Sequence, residues 1–202
     1  DFYLIGGMRC GTTSLYRYLS AHRGVFTPTP KEPGHLAMAD QYSHAPAIYQ
    51  RLFQDASENQ LKADCSTNYS RWPHSLDVPQ VIRRLTPDAK FIYLLRDPVL
   101  RAYSHYCHLM RQGVRASFEH MLDSCGEIID AGRYRMQIER YLRWFDRDRM
   151  LILLFDDLKR DPAAVADRVF RFLDLPPLER ERLGPIHVNA TNKRAYLSRW
   201  MQ

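Results

Sequence analysis

Cysteine is sparse in this chain of 202 residues: Cys10, Cys65, Cys107 and Cys125 make up the whole set, and no two stand in a C-x-x-C pair. A small disulfide-stapled scaffold is therefore excluded, and a reducing compartment is the expectation. No apolar run approaches the ~18 residues that a membrane-spanning helix needs. A charged-then-apolar leader is missing as well, although residue 1 falls directly on a predicted strand, so a trimmed N-terminus is expected. The net charge of +6 favours an anionic ligand, but the 29 Lys and Arg residues are scattered and form no dense arm for nucleic acid. Internal repeats and low-complexity linkers are absent too. With 45% hydrophobic residues the chain is long enough to bury an α/β core, and one domain over residues 1–202 is expected.

What is present is concentrated at the front. Phe2-Tyr3-Leu4-Ile5 reads as a buried strand. Gly6, Gly7 and Gly11 let the backbone turn sharply and approach a ligand closely. Thr12, Thr13 and Ser14 can open a helix whose apolar stripe is Leu15, Tyr16, Tyr18 and Leu19. Strand, glycine loop and helix N-terminus together make a phosphate cradle. One residue of the nucleotide-triphosphatase loop is lacking: G-x-x-x-x-G-K-[ST] needs Lys after Gly11, and Thr12 stands there. Arg9 is the one cation inside the loop. An ordinary tight strand–helix turn is the plainer reading of the same glycines.

The remaining chain alternates strands and helices. The first helix is expected to end near His22–Gly24, followed by a short strand at 25–27 that Pro28 and Pro30 terminate. Lys31-Glu32-Pro33-Gly34-His35 then forms a proline-flanked polar turn. A weak helical pattern covers 45–53, a third strand 60–65, and a helix 76–85 with Val81, Ile82 and Leu85 inward. The second strong signal is the strand 89–95, followed by Arg96-Asp97-Pro98, where Asp97 suits a helix N-cap and Pro98 its first turn. That helix runs to about Gln112 with Arg101, His105 and His108 on one face and Ser104 beside them. Further helices are predicted at 118–123, at 134–145 (Ile138, Tyr141, Leu142 and Phe145 inward) and from Pro162 to Leu173, with an apolar strand at 150–155. The polar tail, 187–196, carries Lys193 and Arg194. This alternation predicts a doubly wound parallel sheet with helices on both faces. Ligands of such sheets sit outside the carboxyl ends of the strands, where Arg9 and Arg96 both fall, and two arginines at adjacent strand ends suit a ligand with two phosphates.

Other readings remain open from the residues alone. Arg96 could be a structural ion pair with Asp97 or Asp156. Glu32 could be a solvated loop carboxylate, and Lys193-Arg194 a charged tail. His105, Cys107 and His108 find no third metal ligand at a sensible spacing, and no metal is expected. Leu151–Asp156 is similar to a Walker B strand, which keeps a P-loop kinase in view, beside a non-catalytic nucleotide-binding module.

Taken together, the chain resembles sulfotransferases that use 3′-phosphoadenosine 5′-phosphosulfate (PAPS). Gly7-Met8-Arg9-Cys10-Gly11-Thr12-Thr13 is similar to that family's 5′-phosphosulfate loop. Arg96-Asp97-Pro98 with Ser104 eight residues on is similar to its 3′-phosphate motif. Phe155-Asp156-Asp157-Leu158 with Asp161-Pro162 resembles its fifth-strand segment, and Lys193-Arg194 its basic closing loop. Lys31-Glu32-Pro33 resembles the segment holding the general base in carbohydrate-directed, heparan-sulfate-type members. Cys65 stands where those members have a lysine, and Arg9 where most have lysine. The resemblance implies a PAPS donor, no metal, and in-line transfer of sulfate to a hydroxyl or amine, with a carbohydrate the leading acceptor. It further implies Arg9 as the charge-stabilising residue and Glu32 as the base, with His35 second. Oligomeric state is not legible. A small bacterial cytoplasmic enzyme is the expected setting, or the Golgi lumen for the trimmed domain of a type II membrane enzyme.

Overall fold

The computed structural model describes residues 1–38 and 44–178. Five parallel strands form one sheet in the order β2-β3-β1-β4-β5: β1 Phe2–Gly6, β2 Val25–Phe26, β3 Leu61–Asp64, β4 Lys90–Leu95 and β5 Met150–Leu154. The helices among the described residues are α1 Thr12–Ala21, α2 Ala45–Leu52, α3 Val78–Leu85, α4 Pro98–Arg111, α5 Phe118–Ser124, α6 Gly126–Asp130, α7 Tyr134–Leu142, α8 Phe155–Arg160 and α9 Pro162–Phe172. No helix of the described residues is long and apolar enough to cross a membrane.

Side chains alternate across the strands, so each strand feeds two cores. Phe2 and Leu4 of β1, Ile92 and Leu94 of β4 and Leu153 of β5 face Leu15 and Leu19 of α1 and Val165, Val169 and Phe170 of α9. Tyr3, Ile5, Phe91, Tyr93 and Met150 point the other way, onto Val81 and Ile82 of α3, Tyr141 of α7 and Ala45 at the start of α2. Helices therefore cover both faces, as the strand–helix alternation predicts. A smaller cluster, Ala102, Met121 and Ile128, joins α4, α5 and α6 beside the sheet.

Local signals set the element ends. Asp97 accepts from the Leu100 N–H (2.8 Å) at the start of α4, and Asp161 accepts from the Ala164 N–H (2.9 Å) at the start of α9, each ahead of a proline at the first helical position. Three expectations need correction. The strand at 150–155 stops at Leu154, and Phe155 opens α8, a helix that the apolar run concealed. A short helix at 126–130 also appears where none was predicted. Leu142 is 37% exposed, while the polar Gln137 is buried. Gln137 exchanges hydrogen bonds with the Trp72 backbone, accepting from its N–H (3.3 Å) and donating to its C=O (2.8 Å). That pairing satisfies an amide which periodicity alone would assign to solvent.

Ile92 lies fully buried at the sheet centre, whereas Val99 is 66% exposed at the head of α4. Ile92→Ala should therefore cost about 2–5 kcal/mol of stability through lost burial and a residual cavity, and Val99→Ala within about 0.5 kcal/mol. Urea unfolding of the two variants measures the contrast; equal losses would contradict this assignment of the core.

Candidate active site

Parallel pairing of β1 with β4 brings the segments after both strands to one edge of the sheet. The front loop is tied there directly, because the Gly7 N–H donates to the Leu94 C=O at 2.6 Å. Arg9 adopts φ 66°, a left-handed conformation uncommon for a residue with a side chain. From that backbone its Nε donates to Ser104 Oγ on α4 at 3.3 Å, and its carbonyl accepts from Arg96 Nη1 at 3.1 Å. The two predicted phosphate motifs thus touch through side chains as well as through the sheet. Gly11 precedes α1 with φ 89°, and no side chain caps the helix. The Ser14 N–H turns back to the Gly11 C=O at 3.0 Å, which leaves the Thr12 and Thr13 N–H groups to point at a ligand.

These residues frame a cleft of about 490 Å³, lined by Met8, Arg9, Gly11, Thr12 and Thr13 of the front segment and by Arg96 and Ser104 of the second motif. Gly7 and Cys10 of the expected loop set stand behind it: the Gly7 amide is spent on Leu94, and Cys10 is buried in the core beneath. Glu32 also lines the cleft. Its Oε1 accepts from Lys31 Nζ at 2.7 Å, and its Oε2 accepts from the Thr67 hydroxyl at 2.7 Å and the Thr67 N–H at 3.4 Å. Partial burial alone would raise the carboxyl pKa, but the Lys31 charge and the Lys31 and Thr67 hydrogen bonds outweigh it and hold Glu32 below its ordinary range. Glu32 is therefore an anchored anion more than a solvated loop carboxylate. His35 opens the short turn His35–Ala37 behind Gly34 and is not among the residues lining the cleft.

Arg96 does not form the ion pair that the sequence left open. Asp97 caps α4, Asp156 pairs with Lys159 at 2.8 Å on the exposed side of α8, and the Arg96 guanidinium stacks on the Phe155 ring at 4.8 Å. Its charge therefore stays available to the cleft. The same placement removes Asp156 from any metal-holding Walker B role, since it is 72% exposed at its side chain and lines no part of the cleft. On α4 the face of interest is shifted from the one expected. Ser104, His108 and Arg111 line the cleft, one turn apart, whereas Arg101 and His105 are buried. Burial and the positive neighbours Arg101 and Arg71 push the His105 pKa down to about 3, so it is neutral. Burial, then Arg111 and Arg96, lowers the Arg9 pKa as well, the mark of several cations drawn together.

Thr67, Arg111 and Phe155 are site residues that sequence reasoning missed. Thr67 follows the predicted strand 60–65 by two residues, and a hydroxyl just past a strand end was a usable signal. Arg111 was recoverable from the i, i+4, i+7 spacing that starts at Ser104. Phe155 stood in the segment that resembles the family's fifth strand, but it read as the last strand residue, and nothing there marked it for the cleft. The 64–69 segment owes its position to Asp64. That buried carboxylate accepts from Ser66 Oγ (2.5 Å), from the Tyr69 hydroxyl (2.8 Å) and from the Tyr49 hydroxyl, and burial pushes its pKa up. Lys193 and Arg194 lie outside the described residues.

Fold and cleft define a P-loop-type α/β protein whose front loop has arginine for its cation and whose second strand end carries another. The chain belongs to the sulfotransferase family, whose model matches residues 1–180. It is 30% identical over 197 residues to the bifunctional heparan sulfate N-deacetylase/N-sulfotransferase 4 of Mus musculus, covering 87% of this chain and 22% of that protein. It is 27% identical over 181 residues to the heparan sulfate glucosamine 3-O-sulfotransferase 6 of Homo sapiens, covering 85% of this chain and 51% of that one. The chain thus spans between about a fifth and a half of the length of these relatives. Among solved structures it resembles a sulfotransferase from Alicyclobacillus acidocaldarius, with a TM-score of 0.79, 27% identity, and coverage of 99% of this chain and 90% of that one.

A Cβ built on Gly11 would lie 2.7 Å from the Phe155 ring, and its φ of 89° strains any other residue. Gly113 shares a positive φ, 102°, but a Cβ there meets nothing within 4 Å. Gly11→Ala should lower stability by about 2–4 kcal/mol, combining backbone strain with the ring clash, and Gly113→Ala by about 1–2 kcal/mol. Thermal unfolding of the pair separates strain from packing; a smaller loss at Gly11 would exclude the tight loop–ring contact.

Proposed function

We propose that this chain is a PAPS-dependent sulfotransferase acting on a hydroxyl or amine of a carbohydrate. The single observation that carries the reading is the cleft in which Arg9 and Arg96, one from each strand end, converge without a carboxylate partner for either guanidinium among the described residues. Unpaired guanidinium groups gathered in one partly buried site call for an anionic ligand. A ligand phosphorylated at two separated positions matches their arrangement. The 5′-phosphosulfate would rest on the loop and the first turn of α1, against Arg9, Thr12 and Thr13. The 3′-phosphate would rest on Arg96 and Ser104, where charge-assisted hydrogen bonds are the strong ones. Lys193 and Arg194 complete the donor set in this proposal. Family membership and the lack of lysine after Gly11 both favour PAPS over a nucleoside triphosphate.

The reaction is an in-line displacement at sulfur. The acceptor oxygen or nitrogen forms the new bond to sulfur, the bond to the bridging phosphate oxygen breaks, and adenosine 3′,5′-bisphosphate (PAP) leaves with that electron pair. Glu32 takes the acceptor proton, and Arg9 offsets the charge growing on the bridging and sulfuryl oxygens. The carbohydrate acceptor is supported by the heparan sulfate relatives and by the Lys31-Glu32 segment. Arg111 adds a positive charge to the cleft beyond the two motif arginines, which favours an acidic glycan. Transfer of labelled sulfate from PAPS to glycans, phenols, lipids and peptides tests the assignment. Label on acidic glycans is expected, and label confined to phenols or peptides would overturn the carbohydrate reading.

Replacing Glu32 by Gln keeps the shape and removes the proton acceptor. The variant should lose about 10²–10⁴-fold in kcat while still binding PAP. Because the carboxyl pKa lies below its ordinary value, the wild-type rate should be flat through neutral pH. It should fall only in acid, below about pH 4.3, the ordinary carboxyl value. A kcat within about threefold of wild type would move the base elsewhere, and collapse of His35→Ala in its place would assign it to His35.

A further inference from the structure

Tyr134, the first residue of α7, has no part in the cleft lining, yet its hydroxyl reaches both phosphate motifs from behind. The hydroxyl donates to the Arg96 carbonyl at 2.8 Å and accepts from the Arg96 N–H at 3.3 Å. It also lies 3.6 Å from Cys10 Sγ in the front loop. Its ring stands edge-on to Tyr93 with centroids 6.0 Å apart, and a Cβ on Gly7 would come within 3.5 Å of it. Arg96 falls in the gap between β4, which ends at Leu95, and α4, which begins at Pro98. Neither ladder nor helix serves its backbone there, and a single phenolic hydroxyl takes both its N–H and its C=O. The guanidinium is steadied at its other end by the Arg9 carbonyl and the Phe155 ring.

We propose that Tyr134 is the positioning residue for Arg96: by fixing its backbone against the front loop, the hydroxyl sets how strongly the protein distinguishes a 3′-phosphorylated adenosine nucleotide from one without that phosphate. The inference rests on the proposed 3′-phosphate role of Arg96. An arginine held at its backbone, its tip and its flat face loses little freedom when it meets an anion, and a binding group prepared in this way gains affinity through that preorganisation. Burial pushes the phenol pKa upward, so the hydroxyl keeps its proton, and its hydrogen bond to the Arg96 carbonyl, across the physiological range.

The test is calorimetry of PAP and of adenosine 5′-monophosphate on the wild-type chain and on Tyr134→Phe, which keeps the ring and its packing, with the melting temperature followed in parallel. Wild type should prefer PAP strongly. The variant should bind PAP about tenfold more weakly, the equivalent of one lost hydrogen bond to the arginine's setting, with monophosphate affinity within about twofold of wild type. In an Arg96→Ala background, Tyr134→Phe should change PAP affinity no further, since a positioning residue is silent once its client is gone. A preserved PAP-to-monophosphate ratio in Tyr134→Phe would overturn the inference, as would equal weakening of both ligands, the result for a merely structural tyrosine. If wild type itself binds the two nucleotides equally, it is the 3′-phosphate role of Arg96 that fails, and the wild-type arm alone reveals this.

Discussion

The parallel pairing of β1 with β4 is the constraint on which the site depends. Their residues run side by side from Phe2 opposite Lys90 to Gly6 opposite Tyr93, with an irregularity between Leu4 and Gly6. Strands paired in this sense finish at the same edge, so the front loop and the Arg96-Asp97-Pro98 segment are neighbours although some ninety residues separate them. Gly7 to Leu94, Arg9 to Ser104 and Arg96 to the Arg9 carbonyl are consequences of that geometry. Each also reinforces it, because a hydrogen bond across two loops limits the freedom of both.

Bringing those loops together concentrates positive charge. Arg9, Arg96 and Arg111 share a cleft whose one lining carboxylate among the described residues, Glu32, is engaged by Lys31 and Thr67. At an effective dielectric of about 20, two like charges a few ångströms apart repel by a few kcal/mol. The fold tolerates this in part through hydrogen bonds that hold Arg9 and Arg96 in place, and an anion would relieve it. Glu32 faces the opposite demand. Its anchors favour the ionised form, which would ready it to accept a proton but weaken it as a base. In the base role proposed for it, positioning more than basicity would then be its contribution.

The support for the cleft comes from residues that never face it. Asp64 gathers Ser66, Tyr69 and Tyr49 at the end of β3, and Ser66 in turn accepts from the Gly34 N–H at 2.9 Å. Through these bonds the Glu32 turn and the Thr67 turn are held in one arrangement. Tyr134 does for the end of β4 what Asp64 does for the end of β3. Both are polar groups satisfied inside the protein, and such groups specify one geometry because any other leaves a buried atom unpaired.

Much of this was legible in the order of the residues. The front strand, its glycine loop and the helix opening at Thr12 are local features, and steric and capping preferences acting over a few residues dictate them. The alternation of strands with helices likewise announced a parallel sheet covered on both faces. Arg96-Asp97-Pro98 with Ser104 was readable for the same reason, since a capped helix fixes an eight-residue spacing. Non-local facts were not readable. That α4 turns Ser104, His108 and Arg111 to the cleft while Arg101 and His105 go inward depends on how that helix rolls against α6. That Leu142 is exposed and Gln137 buried depends on the Trp72 backbone it meets. Phe155 became a platform for Arg96 only because β5 lies next to β4 and stops one residue early. Sequence determined the elements and the chemical groups at their ends, because those follow from short-range sterics and hydrogen bonding. Which groups meet was decided by the tertiary structure, because strand pairing and helix packing join residues by burial and not by distance along the chain.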